Sequence, residues 1–255
     1  MQLSCKQPNE VIRPEKLDEY EKMRDAVRDQ LHWHRSTLFV LRKVTEFRFD
    51  LFLGVEQADF WFLVARHFRA AAILGVTRMA TDEGSEWLTI SAFRDFVRDA
   101  LRPEFLDEYY AQLKAHRFAK RHRAVLEKIR HNRNAWLAHL RKTEALQGGV
   151  ASSHAVSLAE IETVSEELRA LFDLLCFGYG HGTLPLDYDP CVRHPIASDP
   201  RCDIERLLDG LAKDSPLLNM PEQQPAFWHD YRAGLSEQEL DEVNKYRRKF
   251  AMAPA

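Results

Sequence analysis

Apolar positions recur with a period near 3.6 residues from about Glu15 to Gly178, and nowhere do they alternate over a length useful to a strand. That period predicts helices over about 14–34, 36–53, 57–80, 90–101, 103–115, 117–145 and 157–178. Local punctuation agrees. Pro103-Glu104 suits a first helical turn, and Ser157 with Glu160 has the spacing of a capping box. Gly148-Gly149 marks the break before the last of these helices. Between Glu15 and Leu184 the only proline is Pro103, whereas Pro185 to Pro225 holds seven, so the character of the chain changes after Gly178-Tyr179-Gly180. In that proline-rich stretch Asp203 to Ala212 suits a short helix. Ser236 to Met252 suits a last one, again opened by a capping box, Ser236 with Glu239. The segment PAFWHDYRAGL at 225–235 is aromatic enough to pack on something. No internal repeat is present. The expected architecture is all-α: a helical bundle over 1–182 and a proline-rich, partly helical C-terminal extension over 183–255, packed on the bundle or binding a partner.

Composition sets outer bounds. At 255 residues, 45% hydrophobic and 29% charged, the chain can bury one substantial core and is not compositionally disordered. The most apolar helix, near Ala58 to Ala80, is interrupted by Asp59, Arg66, His67, Arg69 and Arg78, so no membrane span is expected. The first residues lack the apolar core of a secretory signal, and four cysteines are too sparse for a disulfide scaffold. A cytoplasmic location is the expectation.

Charge changes the picture more. Lys114 to Lys142 holds ten Lys or Arg against one acid, Glu127, a formal +9, and leaves −12 on the remainder. A cationic strip on an acidic body suits a polyanion. Within the strip, Leu126, Ile129, Trp136 and Leu140 share one helical stripe, and Arg133 occupies the position where the stripe asks for a leucine. A guanidinium there needs an anion, a carboxylate such as Asp82, or a wet cleft. His139 follows roughly 120° around a regular helix and about 9 Å along it, so both residues can border one groove if a second helix packs beside them. The chemistry suits phosphodiester cleavage without a metal or other cofactor. Histidine can take the 2′-hydroxyl proton, and arginine can stabilise the charge growing on the attacked phosphate with two parallel hydrogen bonds. Asn134 can orient the phosphate or hold His139. Arg121, Arg123, Lys128, Arg130, His131, Arg141 and Lys142 would track phosphates without reading sequence, or serve as solubilising charge. Arg66, His67, Arg69 and Arg78 either line the same groove or pair with acids, as Arg78 with Asp82 would. Cys176, His181, Cys191, His194 and Cys202 lack the paired spacing of a zinc site, and free cysteines in a packed tail are the simpler reading. No P-loop, dinucleotide fingerprint, nucleophile elbow or H-E-x-x-H is present.

Arg133, the polar Asn134 that follows it, and His139 after five intervening residues resemble the signature of the HEPN superfamily of helical ribonucleases. The surrounding KIRHNRNAWLAHLRK is most similar to the abortive-infection U-type branch, as are ILGVTRMATD at 73–82 and LTI at 88–90, and the likeness covers about residues 30 to 180. The resemblance implies a HEPN-like bundle and an endoribonuclease that leaves 2′,3′-cyclic phosphate and 5′-hydroxyl ends, with Arg133, Asn134 and His139 as its catalytic set. It also implies a homodimer in which two copies of the motif meet, and a toxin's role in abortive infection or beside an antitoxin protein. HEPN-like bundles also serve as non-catalytic modules that bind RNA or protein, and the same residues fit that reading. A buried Arg133–Asp82 pair would favour it.

Overall fold

The computed structural model describes residues 3, 6–81, 88–134, 155–177 and 200–255. Among them every regular element is helical, and the extended backbone pairs at an isolated antiparallel bridge, Ile12 with Leu101. The chain is an all-α helical bundle. In order, α1 (Pro8–Val11) and a 3₁₀ turn (Pro14–Lys16) lead into α2 (Leu17–Glu46), then α3 (Phe49–Phe52) and α4 (Val55–Val76), which runs on into a π-helical turn (Thr77–Thr81). Next come α5 (Ile90–Ala100), a 3₁₀ turn (Pro103–Phe105), α6 (Leu106–His116), α7 (Phe118–Arg121), α8 (Arg123–Asn132) and α9 (Leu158–Leu175). The last part holds α10 (Pro200–Asp214), α11 (Pro216–Gln223), α12 (Pro225–Arg232) and α13 (Glu237–Lys249).

The described residues of Met1–Leu38 and Phe68–Tyr188 form one compact unit, and those of Phe39–His67 and Asp189–Ala255 a second. In the first unit, α5 shows how local sequence fixes an element. The Thr89 hydroxyl accepts from the Ala92 N–H at 3.1 Å, and Ile90, Phe93, Val97 and Ala100 fall on one buried face. The helix stops at Leu101, in extended backbone two residues before Pro103. Its Phe93 packs on Tyr20 of α2 and Phe172 of α9, with ring centroids 5.6 and 6.1 Å apart. Ser157 caps α9 through the reciprocal box with Glu160 that the spacing predicts. Beside this core, burial pushes the free Cys176 thiol up to about 12, which leaves it protonated and inert at neutral pH.

The break expected near Arg35 does not occur, because α2 runs unbroken from Leu17 to Glu46. The polar residues there are core members rather than a cap. Arg35 is buried and donates to Glu166 of α9 at 2.7 Å, and Ser36 is buried as well. His34 packs closely on Gly75 of α4, where a β-carbon would stand 2.5 Å from its Nδ1. The break expected between 115 and 117 is present, with Arg117 in a left-handed conformation (φ 49°, ψ 36°) between α6 and α7. The described part of the helix expected over 117–145 is interrupted at His122, between α7 and α8.

The second unit is built on aromatic rings. Phe47 packs on Phe49, Phe52 and Tyr246 at 4.6, 5.3 and 5.8 Å, and Phe49 stacks on Trp61 at 4.6 Å. The Ser215 hydroxyl donates to the Phe52 carbonyl at 2.7 Å, and Lys43 pairs with Glu205. Arg247 of α13 is fully buried; it grips Glu222 with two N–H groups, and further N–H groups meet the carbonyls of Leu218 and Ala253. That grip holds the Glu222 carboxyl below the usual carboxylate range. Arg247→Ala should therefore lower unfolding stability by about 3 kcal/mol, because it empties the space of a fully buried side chain and leaves the buried Leu218 carbonyl without its donor. Urea denaturation reads this directly, and a midpoint equal to wild type would show that the network contributes nothing.

On α4, Phe60, Phe62 and Leu63 are more than half exposed. The 24-residue helix Ala58–Thr81 is long and apolar enough, by length and composition, to cross a bilayer, despite Asp59, Arg66, His67, Arg69 and Arg78 along it.

Candidate nucleic-acid interface

The π-helical turn at Thr77–Thr81 packs against both α8 and α5. Its hydroxyls explain part of its shape: Thr77 Oγ1 donates to the Ile73 carbonyl at 2.9 Å and Thr81 Oγ1 to the Thr77 carbonyl at 3.2 Å. Such back-bonding draws a carbonyl off the helical ladder. The chain is π-helical again at 133–134, just past α8. A π turn is wound more loosely than an α turn, so Arg133 leaves the phase that a regular helix would give it.

Between the π turn, the start of α5 and the outer side of α7 and α8 lies an open cavity of about 660 Å³, walled by Thr81, Thr89, Asp95, Arg123, Glu127 and Arg130. A second cavity of about 420 Å³ continues it towards α6, reaching Arg94, Arg98, Tyr110, Arg117 and Lys120. Both are bordered by Ala80, Ser91, Asp95, Ala119 and Leu126, so they form one groove. Six cations line it against two acids, Asp95 and Glu127.

The residues singled out from sequence separate into groups here. Arg133 is half-buried and its Nη1 donates to Asn134 Oδ1 at 3.1 Å. Arg130 is exposed in the groove wall, one turn before Arg133, and has no acidic partner among the described residues. Three other cations of the strip are held by acids. Arg123 pairs with Glu127 at 2.9 Å within α8, Lys128 with Glu160 at 2.7 Å, and Arg121 makes a bidentate contact with Glu167 at 3.0 and 3.2 Å. The Lys128 ammonium is the first cause of the depressed Glu160 carboxyl, so it joins α8 to the capping box of α9. His131 is half-buried. His139, Arg141 and Lys142 lie outside the described residues, as do Asp82, Trp136 and Leu140.

His116 and His122 turn towards the same carboxylate, with Nε2 at 3.6 and 3.7 Å from Glu167 Oε2. Burial lowers the His116 pKa against the pull of Glu167. Together with Arg121 they clamp the α6–α7–α8 corner to α9. On α4, Arg66 and His67 are exposed, whereas Arg69 donates to the Val156 carbonyl. Arg78 is exposed on the π turn. Of the cysteine–histidine set, Cys176 is buried in the core, while His181, Cys191 and His194 and the side chain of Cys202 lie outside the description. Among the described residues no three His, Cys, Asp or Glu side chains are grouped to hold a metal ion.

Arg98, Tyr110, Arg117 and Lys120 are groove residues that the sequence did not single out. Arg117 and Lys120 belong to the basic strip, but Arg98 and Tyr110 come from α5 and α6, which only the tertiary fold brings beside it.

An all-helical bundle with an Arg-Asn pair one turn beyond the Arg130 wall of a cation-rich groove fits the HEPN class. The AbiU2 family model of that superfamily matches residues 17–194, and the chain belongs to this abortive-infection family. No curated protein and no solved structure matches it.

Proposed function

We propose that the chain is a metal-independent endoribonuclease that cleaves RNA to 2′,3′-cyclic phosphate and 5′-hydroxyl ends. Its proposed role is that of a cytoplasmic toxin in an abortive-infection or toxin–antitoxin defence system, with an antitoxin protein as its second partner. The supporting observation is the Arg133–Asn134 pair one turn beyond Arg130 of the groove wall, in a chain of this family. With Oδ1 accepting from Arg133, the Asn134 amide keeps its own N–H donors for a phosphate oxygen. Guanidinium and amide then form a preorganised pocket for the charge that grows as the 2′-oxygen attacks phosphorus. His139 removes the 2′-hydroxyl proton and a protonated imidazole returns one to the departing 5′-oxygen. A homodimer, bringing two motifs to one groove, supplies the second copy of each group.

The test is cleavage of end-labelled total RNA by the purified protein in EDTA. Discrete fragments ending in cyclic phosphate are expected from the wild type and not from His139→Ala. RNA that is bound by the wild type but recovered intact would make the chain a non-catalytic RNA-binding module.

A further inference from the structure

We propose that the second cavity of the groove, whose wall does not include Arg133, is a subsite for single-stranded RNA. In it one unpaired base stacks on Tyr110 and the flanking phosphates are held by Arg117 and Lys120. The inference rests on the proposed function for its choice of RNA, and on three observations for the site.

The first is the ring. Tyr110 is 51% exposed at the cavity edge, although a large aromatic side chain gains most from burial. It is nevertheless braced: its ring meets Tyr109 edge-on at 6.0 Å, and Tyr109 is anchored by a 2.7 Å hydrogen bond to the Arg94 carbonyl. An exposed, braced ring in a cationic groove is the platform on which a base stacks. Only unpaired bases offer a free face to it.

Charge is the second. Arg94 and Arg98 are already paired with Asp95, and Arg98 also with Asp99. Arg117 and Lys120 have no acidic partner among the described residues, so the cavity has cationic capacity left for an anion.

The third is backbone. Arg117 holds a left-handed conformation at the end of α6, where glycine is usual and any side chain is strained. Its Nε donates to the Lys114 carbonyl at 2.9 Å, which fixes the side chain at the cavity and leaves both terminal nitrogens for a phosphate. A strained residue kept at a groove is a sign of function rather than of stability.

A fluorescein-labelled, 2′-O-methylated ten-nucleotide oligoadenylate tests this by anisotropy, because it lacks the attacking hydroxyl and binds without being cleaved. Tyr110→Ala should weaken binding about five-fold or more, and Tyr110→Phe should restore it. Arg117→Gly and Lys120→Gln should each lower the slope of log affinity against log salt by roughly 0.7. Arg117→Gly should at the same time raise Tm by about 2–4 °C, so stability and binding move in opposite directions. Unchanged affinity in Tyr110→Ala, an unchanged salt slope in Lys120→Gln, or a lowered Tm in Arg117→Gly would overturn the subsite. So would a wild-type Kd above ~100 µM at physiological salt. The subsite and the nuclease fail separately. A wild type that binds through Tyr110 but cleaves nothing removes only the nuclease. One that cleaves while Tyr110→Ala binds normally removes only the subsite.

Discussion

Arg133→Ala is expected to slow single-turnover RNA cleavage by about 10²–10³-fold, the loss found when one preorganised donor is removed from a developing oxyanion. Affinity for RNA should change far less. On the proposed reading, Arg130, Arg117 and Lys120 would contact the ground state as well as the transition state, whereas Arg133 would act where charge accumulates during the reaction. Arg133→Lys keeps the charge but loses the planar fork and the Asn134 contact, so most of the rate should still be lost. Stability supplies the control. Arg133 is half-buried, so Arg133→Ala should shift the urea midpoint by no more than about 1 kcal/mol of stability, far less than the rate loss. Wild-type cleavage by the alanine variant would remove Arg133 from the phosphate.

Acid should destabilise this protein through His34. The ring is buried and neither nitrogen has a hydrogen-bond partner among the described residues. Burial, assisted by the neighbouring Arg35, lowers its pKa to about 3. The unfolded chain takes up a proton on His34 near pH 6.5, while the folded chain refuses it until about pH 3. Stability contributed by the neutral ring is therefore whole above about pH 6.5 and is lost as pH falls through the window between the two values. The loss is about 2 kcal/mol at pH 5 and about 5 kcal/mol across the whole window. His34→Leu should flatten the pH dependence of the urea midpoint between pH 7 and 4. An equally steep fall in that variant would place the acid sensitivity elsewhere. Gly75→Ala probes the same contact from the other side. Its methyl would stand 2.5 Å from the ring, and the overpacking should cost about 1–3 kcal/mol at neutral pH.

What the sequence reveals and what it hides divide along physical lines. Signals carried by neighbours in sequence are legible. The capping boxes at Ser157 and Ser236 open α9 and α13 as their spacing predicts, and the apolar phase of α5 is visible in Ile90, Phe93 and Val97. Signals that depend on a distant partner are not. Arg35 reads as a break until Glu166 arrives to neutralise it in the core. Prolines mislead in the other direction. Pro216 and Pro225 suggest a connector, yet each stands at a first helical position, where the missing N–H costs nothing, and so opens α11 and α12. The left-handed turn at Arg117 falls where the helices expected over 103–115 and 117–145 meet, whereas the interruption at His122 has no glycine or proline to announce it. The candidate site divides in the same way. Its basic strip and the Arg133-Asn134 pair are linear features, whereas Tyr110 and Arg98 join them only once α5 and α6 pack beside α7.

The hydrogen bond between Ser215 and Phe52 spans 163 residues of chain. A ribosome adding about 5–20 residues per second needs roughly 10–30 s to cover that distance. During that interval the rings of Phe47, Phe49 and Phe52 have been synthesised while the helix bearing Tyr246 has not. A nascent chain must therefore keep an aromatic cluster soluble without its final cover, a natural opening for a chaperone. Messages cut short before α10 would yield polypeptides that retain Arg133 yet cannot complete the second unit. Quality-control proteases would meet the second unit of such fragments as exposed aromatic surface.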